Sequence, residues 1–149
     1  MLNNLASEEI AILASIDPVS QTAATVNTGW LPASDFHRFL VTLDVGVMAT
    51  GSTIDAKLRQ ATSASGTNVK DITGKAITQL TQAGGNGNQQ IMLNLSGDEL
   101  DVNGGFAYFT LSITVGTAAS LICAQILGVN PKITVASVSN QNGVVQVVP

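Results

Sequence analysis

At 149 residues the chain is long enough for one domain with a real core, and 45% of it is hydrophobic while only 11% is charged, against about 25% charged in ordinary soluble domains. A net charge of −4 with no Lys/Arg run excludes a nucleic-acid grip built on clustered cations, and the single Cys123 excludes a disulfide framework within the chain. With 15 Thr and 12 Ser the polar surface is mainly hydroxyl and amide, which does little to repel other copies and predicts a subunit of an assembly.

Residues 1–22 read as an N-terminal arm. Leu5, Ile10, Leu13 and Ile16 form a short helical stripe, with Glu8-Glu9 suited to a first turn and Asp17-Pro18 to a stop. A helix this short is marginal alone, so the segment is expected to lie on a neighbour or to dock. No basic run precedes the first apolar residues, and the longest apolar run is too short to span a bilayer. A soluble protein made in the cytoplasm, without a cleaved signal or a membrane partner, is therefore expected.

Residues 23–130 are predicted to form a β-sandwich domain. Its first strand runs from Thr22 to Trp30, broken at Gly29 and ended by Leu31-Pro32. Trp30 is read as a core or subunit contact. Ser34 to Val47 is a stronger strand. His37, Phe39, Val41, Leu43, Val45 and Val47 share one face; Phe36, Arg38, Leu40, Thr42 and Asp44 share the other. His37 is the only histidine, and with no second histidine or reactive cysteine near it in sequence, catalysis by it is not expected.

After the turn at Ala49-Thr50-Gly51, Thr53 to Ala61 alternates, with Ile54, Ala56 and Leu58 inward and Asp55, Lys57 and Arg59 outward. Residues 62–68 form a loop. Lys70 to Gln82 could place Ile72, Ala76, Ile77 and Leu80 on a helix face, but Thr73, Thr78, Thr81 and Gly74 favour two short strands with a kink. The glycine-rich turn at 83–88 lacks both the Lys-Ser/Thr ending of a phosphate loop and the spacing of a dinucleotide loop. Gln89 to Leu95 is another strand, with Ile91, Leu93 and Leu95 on one side.

Glu99 to Gly104 echoes a calcium loop, yet position twelve is Thr110 rather than a Glu. A turn capped by Asp and Asn side chains fits better. Next come two strands read as a long central hairpin turning at Gly116-Thr117. Phe109, Leu111, Ile113 and Val115 alternate on the first, and Ser120 to Leu127 is apolar on both faces, so something should cover each face. Cys123 within it reads as a buried, inert thiol. Residues 131–149 read as a C-terminal β-hairpin tail around Asn142-Gly143. A two-stranded ribbon barely holds alone, so this tail, like residues 1–22, is expected to be a docking arm.

About eight strands with turns every dozen residues give an all-β, antiparallel, jelly-roll-like sandwich. No grouping of nucleophile, base and oxyanion donors appears, so no enzyme is expected. No catalytic, cofactor-binding or metal-binding residue and no cofactor is assigned.

Several segments resemble a known family. They are Gly29-Trp30 with Ala33-Ser34-Asp35-Phe36-His37-Arg38, then Asp55-Ala56-Lys57-Leu58 with Gln60-Ala61-Thr62. Lys70-Asp71-Ile72-Thr73-Gly74-Lys75-Ala76-Ile77-Thr78-Gln79-Leu80 and Glu99-Leu100-Asp101-Val102 with Gly105-Phe106 complete the set. Together, over roughly Thr28 to Pro131, they resemble the capsid decoration (cement) proteins encoded beside the major capsid gene of tailed bacteriophages. The resemblance implies a homotrimer on the exterior of the virion head, with the major capsid protein as partner, and carries no catalytic residues. A head-to-tail connector or tail component of the same particle is the neighbouring reading. A carbohydrate-binding jelly-roll adhesin module is a third, and it needs an exposed aromatic cluster.

Overall fold

The computed structural model describes residues 5–148. The chain passes through one helical turn, α1 (Ala6–Glu9), then β1 (Ile10–Gln21), β2 (Ala24–Asn27), β3 (Leu31–Pro32), β4 (Phe36–Met48) and β5 (Thr53–Ala61). It continues with β6 (Lys70–Ala76), β7 (Leu80–Thr81), β8 (Gln89–Ser96), β9 (Tyr108–Gly116) and β10 (Ser120–Pro131). One sheet has the order β1-β10-β4-β8; the other has β2-β9-β5-β6, with β3 against β9 and β7 against β5. Every pairing is antiparallel. Successive long strands mostly fall in opposite sheets, and the chain passes from one sheet to the other at six of its nine strand connections. That winding is a jelly roll.

The core is the inner row of each strand. Phe39, Val41, Leu43 and Val45 of β4 meet Ile54, Ala56 and Leu58 of β5, Phe109 to Val115 of β9 and Ile122 to Ile126 of β10. A period of two places each set on one side of its strand. The ring of Phe39 lies 4.6 Å from that of Phe109, tilted at 59°, and Phe36 meets Phe39 edge-on at 6.1 Å. A Cβ at Gly128 would fall 2.7 Å from the Phe36 ring, so glycine there is what admits the ring. The two short strands expected between Lys70 and Gln82 are β6 and β7, and Gly74 supplies the positive φ of +75° inside β6.

The central pair is not a hairpin. β9 bonds to β2 and β5, while β10 bonds to β1 and β4, so the two lie in opposite sheets. Both apolar rows belong to one core, and only opposite walls let them face each other. Residues 116–119 make that crossing through a tight turn, with Thr117 at φ +66° and the Ala118 N–H donating to the Gly116 carbonyl at 2.8 Å.

The N-terminal stripe is not a helix either. α1 ends at Glu9, and residues 10–21 are β1, paired with β10 from Ile10↔Val129 to Gln21↔Ser120. Register shifts at Ile12/Ala14 and Ile16/Val19 break the alternation of two, which is why the apolar residues mimic a longer period. Most of the expected arm is thus an edge strand of the sandwich.

In β4, Val47 is 63% exposed and Met48 is buried, the reverse of the expected parity. Ser120 pairs with Met48 and Ile122 with Val45, so one extra residue of β4 flips the faces there. At the other end Phe36 turns inward and His37 outward.

The tail also departs from expectation. Described up to residue 148, it holds a 3-10 turn at Ala136–Ser139 and no strand. It runs along the free edge of β1 instead. The Ile12 N–H donates to Asn140 Oδ1 at 2.8 Å, the Gln141 N–H donates to the Ile12 carbonyl at 2.8 Å, and Gln141 Nε2 donates to Ser15 Oγ at 3.1 Å. Ala136 is wholly buried. An edge strand has unpaired backbone groups to offer, and the tail finds its partner there.

Candidate interaction surface

The residues with reactive side chains are held apart. His37 is exposed at the start of β4, whereas Cys123 pairs in register with Asp44, roughly 24 Å away along the strand at about 3.4 Å per residue. Cys123 is half-buried on the outer side of β10 rather than enclosed in the core. Burial pushes its thiol pKa up, and the carboxylates of Asp44 and Asp17 add to the shift. The thiol is therefore mainly protonated near neutral pH, a slower nucleophile than an unperturbed cysteine but still open to a thiol-specific reagent.

In the calcium-like loop, Asp101 Oδ1 accepts the Gly104 N–H at 3.0 Å and Oδ2 takes Lys70 at 2.5 Å. Glu99 Oε2 accepts the Ser96 N–H at 2.8 Å and Oε1 pairs with Lys75 at 2.7 Å. The hydrogen bonds from Lys70 and Lys75 are the main reason both carboxyls titrate below their ordinary range. Their oxygens serve as caps. Among the described residues no group of three His, Cys, Asp or Glu is placed to hold a metal ion. A hollow of about 510 Å³ opens between His37, Ser96, Asp98, Phe106 and Lys132. It contains an imidazole, a carboxylate and an ammonium, but no thiol that His37 could activate.

The two outer faces of the sandwich differ in kind. Over the β2-β9-β5-β6 sheet the rows are polar. Thr25 bonds Thr114 at 2.8 Å, Gln79 bonds Asp55 at 2.7 Å, and Asp71 pairs with Lys57 at 2.7 Å and Arg59 at 3.1 Å. Those pairs, the hydrogen bond from Lys57 foremost, lower the pKa of Asp71. Over the β1-β10-β4-β8 sheet the outward rows are Ile12, Leu127, Leu40 and Asn94, then Ser15, Gln125, Thr42 and Met92. Leu121 and Met92 stand open to solvent at 44% and 68%. The charges on this face are Arg38 at one end and Asp44 with Asp17 at the other. A broad, mostly uncharged sheet face of this kind is the surface best suited to meeting another protein.

The aromatic residues take no part in it. Phe36, Phe39 and Phe109 are core, Phe106 is buried beneath the Lys70 ammonium, and Trp30 packs on Gly66, where a Cβ would fall 2.5 Å from its Nε1. Tyr108 is half-buried in β9. Among the described residues no aromatic side chain is fully exposed as a platform for a sugar ring.

Sequence alone showed the apolar outer row of β10. It missed that β1, β4 and β8 extend this row across a whole sheet, because the strand order depends on pairings between distant segments.

No protein-family model and no curated protein matches the chain. Among solved structures it is similar to a chain of the cowpea mosaic virus empty virus-like particle (11% identity, TM-score 0.47, 89% of each chain covered). It is similar also to a chain of Desmodium yellow mottle tymovirus (11% identity, TM-score 0.41, 92% of this chain and 97% of that one). An acetyl xylan esterase from the rumen bacterium Butyrivibrio proteoclasticus is similar at 9% identity and TM-score 0.37, over 88% of this chain and 32% of the esterase. These are likenesses of chain path at low identity.

Proposed function

We propose that the protein is a structural component of a virion, a decoration (cement) protein on the outside of a tailed-phage head. There it groups in threes and braces the major capsid protein against the pressure of packed DNA. The observation that carries this reading is the unequal pair of outer faces. One is an ion-paired polar sheet suited to solvent, and the other a wide face with few charges suited to protein contact. The resemblance of residues 28–131 to decoration proteins supports the same reading. Many modest contacts repeated over a shell add up through avidity, so no single contact need be strong.

Co-sedimentation with purified tailed-phage heads assembled without this protein tests it. Saturable binding in multiples of three, and heads that survive higher temperature or lower salt, are the expected results. Absence of head-bound protein at saturating concentration sinks the reading. Density confined to one vertex in electron microscopy would turn it to the connector or tail alternative. The sugar-binding alternative finds no fully exposed aromatic side chain among the described residues to support it.

A further inference from the structure

We infer that the outer face of the β1-β10-β4-β8 sheet binds the same face of a second copy. The two-fold axis runs across the strands, midway between the outward rows of Leu40–Leu127 and Thr42–Gln125. The inference rests on reading this face as a protein contact and adds the partner and the register.

Size is the first support. The tail lies beside Ser15, Cys123 and Gln125 on the β1 side, so the open part of the face is chiefly β10, β4 and β8. Three strands about 4.8 Å apart and about ten residues long at about 3.3 Å each cover roughly 475 Å² in projection, and side-chain relief with the tail at the rim brings that toward the ~800 Å² per partner of a standard interface. Charge is the second. Arg38 stands at one end of the face and Asp44 at the other, on the same strand and the same side, about 20 Å apart at about 3.4 Å per residue. An axis parallel to the strands would bring Arg38 toward Arg38 and Asp44 toward Asp44, which costs energy in a dry contact. An axis across the strands lays each copy antiparallel on the other and sets Arg38 against Asp44 twice. Val41 pairs with Ile126 and with Leu93 in register, and this row is midway between the two charges. An isologous contact of this kind closes at two copies. It is a property of the free protein; grouping in threes belongs to the shell lattice, where the head supplies the symmetry.

The test uses the purified full-length chain with no heads present, so its outcome is independent of head binding. Sedimentation equilibrium should show a monomer–dimer equilibrium. Arg38→Asp and Asp44→Arg should each weaken it by at least about tenfold, and the double variant should recover to within about threefold of the parent, because the charges are exchanged and the pairing restored. Register is read separately. The antiparallel contact brings residue 129 of one copy near Cys123 of the other, while within one chain they sit about 20 Å apart on β10. Val129→Cys should therefore give covalent dimers with a short bismaleimide, and the parent and Val129→Cys in a Cys123→Ser background should give none. A monomer at all concentrations overturns the inference. So does a double variant no better than the singles, or Val129→Cys without cross-linked dimer.

Discussion

At the scale of single residues, two side chains carry more than their sequence context suggests. Phe109 is wholly buried and shares the centre of the core with Phe39. Phe109→Ala should cost about 3–5 kcal/mol in denaturant melts, and a loss under ~1 kcal/mol would contradict its central place. Thr28 acts through its hydroxyl. β2 ends at Asn27, yet the Leu111 N–H still finds an acceptor, the Thr28 Oγ1 at 3.0 Å, while the Thr28 carbonyl accepts the Thr110 hydroxyl at 2.7 Å. Thr28→Val keeps the shape and orphans that N–H, so about 1–3 kcal/mol should be lost in the same melts. The carboxylates predict a pH response. Asp71, Asp101 and Glu99 titrate below their ordinary values of 3.8, 3.8 and 4.5. Groups lowered in the folded state stabilise above the ordinary value and lose that contribution as pH falls through the lowered one. The melting temperature should stay level from about pH 8 to about pH 5 and decline below about pH 4, modestly, since these pairs are open to solvent.

Among the elements, β1 and the tail form a unit that neither makes alone. Reading the C-terminal residues as an independent arm predicts that deleting 132–149 leaves melting unchanged. With Ala136 buried and Asn140 and Gln141 bonded to Ile12, the expected outcome is the opposite. The truncated chain should melt several degrees lower and aggregate through the bared edge of β1, which differential scanning calorimetry and light scattering would report. The strands themselves were legible wherever alternation was clean, as in Ile54-Ala56-Leu58 and Phe109 to Val115. Register shifts hid β1 and the end of β4, because one extra residue turns every later side chain to the other face. The tail was illegible for a different reason. Its partner is the backbone of Ile12, far away in sequence, and backbone groups leave no mark on a residue pattern. The outer face of β10 was visible as a row of apolar residues, while its extension across four strands was not.

For the whole molecule, what matters is how charge is distributed over the sandwich. The Asp71 pairs with Lys57 and Arg59 sit over one sheet, the Lys75–Glu99 pair bridges to the edge at β8, and the outer face of the other sheet has Arg38, Asp44 and Asp17 across its width. Moving charge onto that face should therefore change association without changing the fold. Thr42→Lys, in the middle row of the face, should leave the melting temperature within about 2 °C of the parent. Head binding or self-association should fall by tenfold or more, at about 1.4 kcal/mol per decade. Equal association by the variant and the parent, measured by co-sedimentation and by equilibrium sedimentation, would place the contact surface elsewhere.

The position of β10 also sets a timetable. It is the last strand to be synthesised, yet it lies inside its sheet, between β1 and β4. Ile10 waits for Val129, so β1 leaves the ribosome with no sheet neighbour for about a hundred residues of translation, roughly 5–20 s at about 5–20 residues per second. Until then the halves of that sheet have nothing to join them. A chain cut short by interrupted translation cannot close the β1-β10-β4-β8 sheet, and so the winding of the fold itself keeps unfinished copies from presenting the proposed contact face.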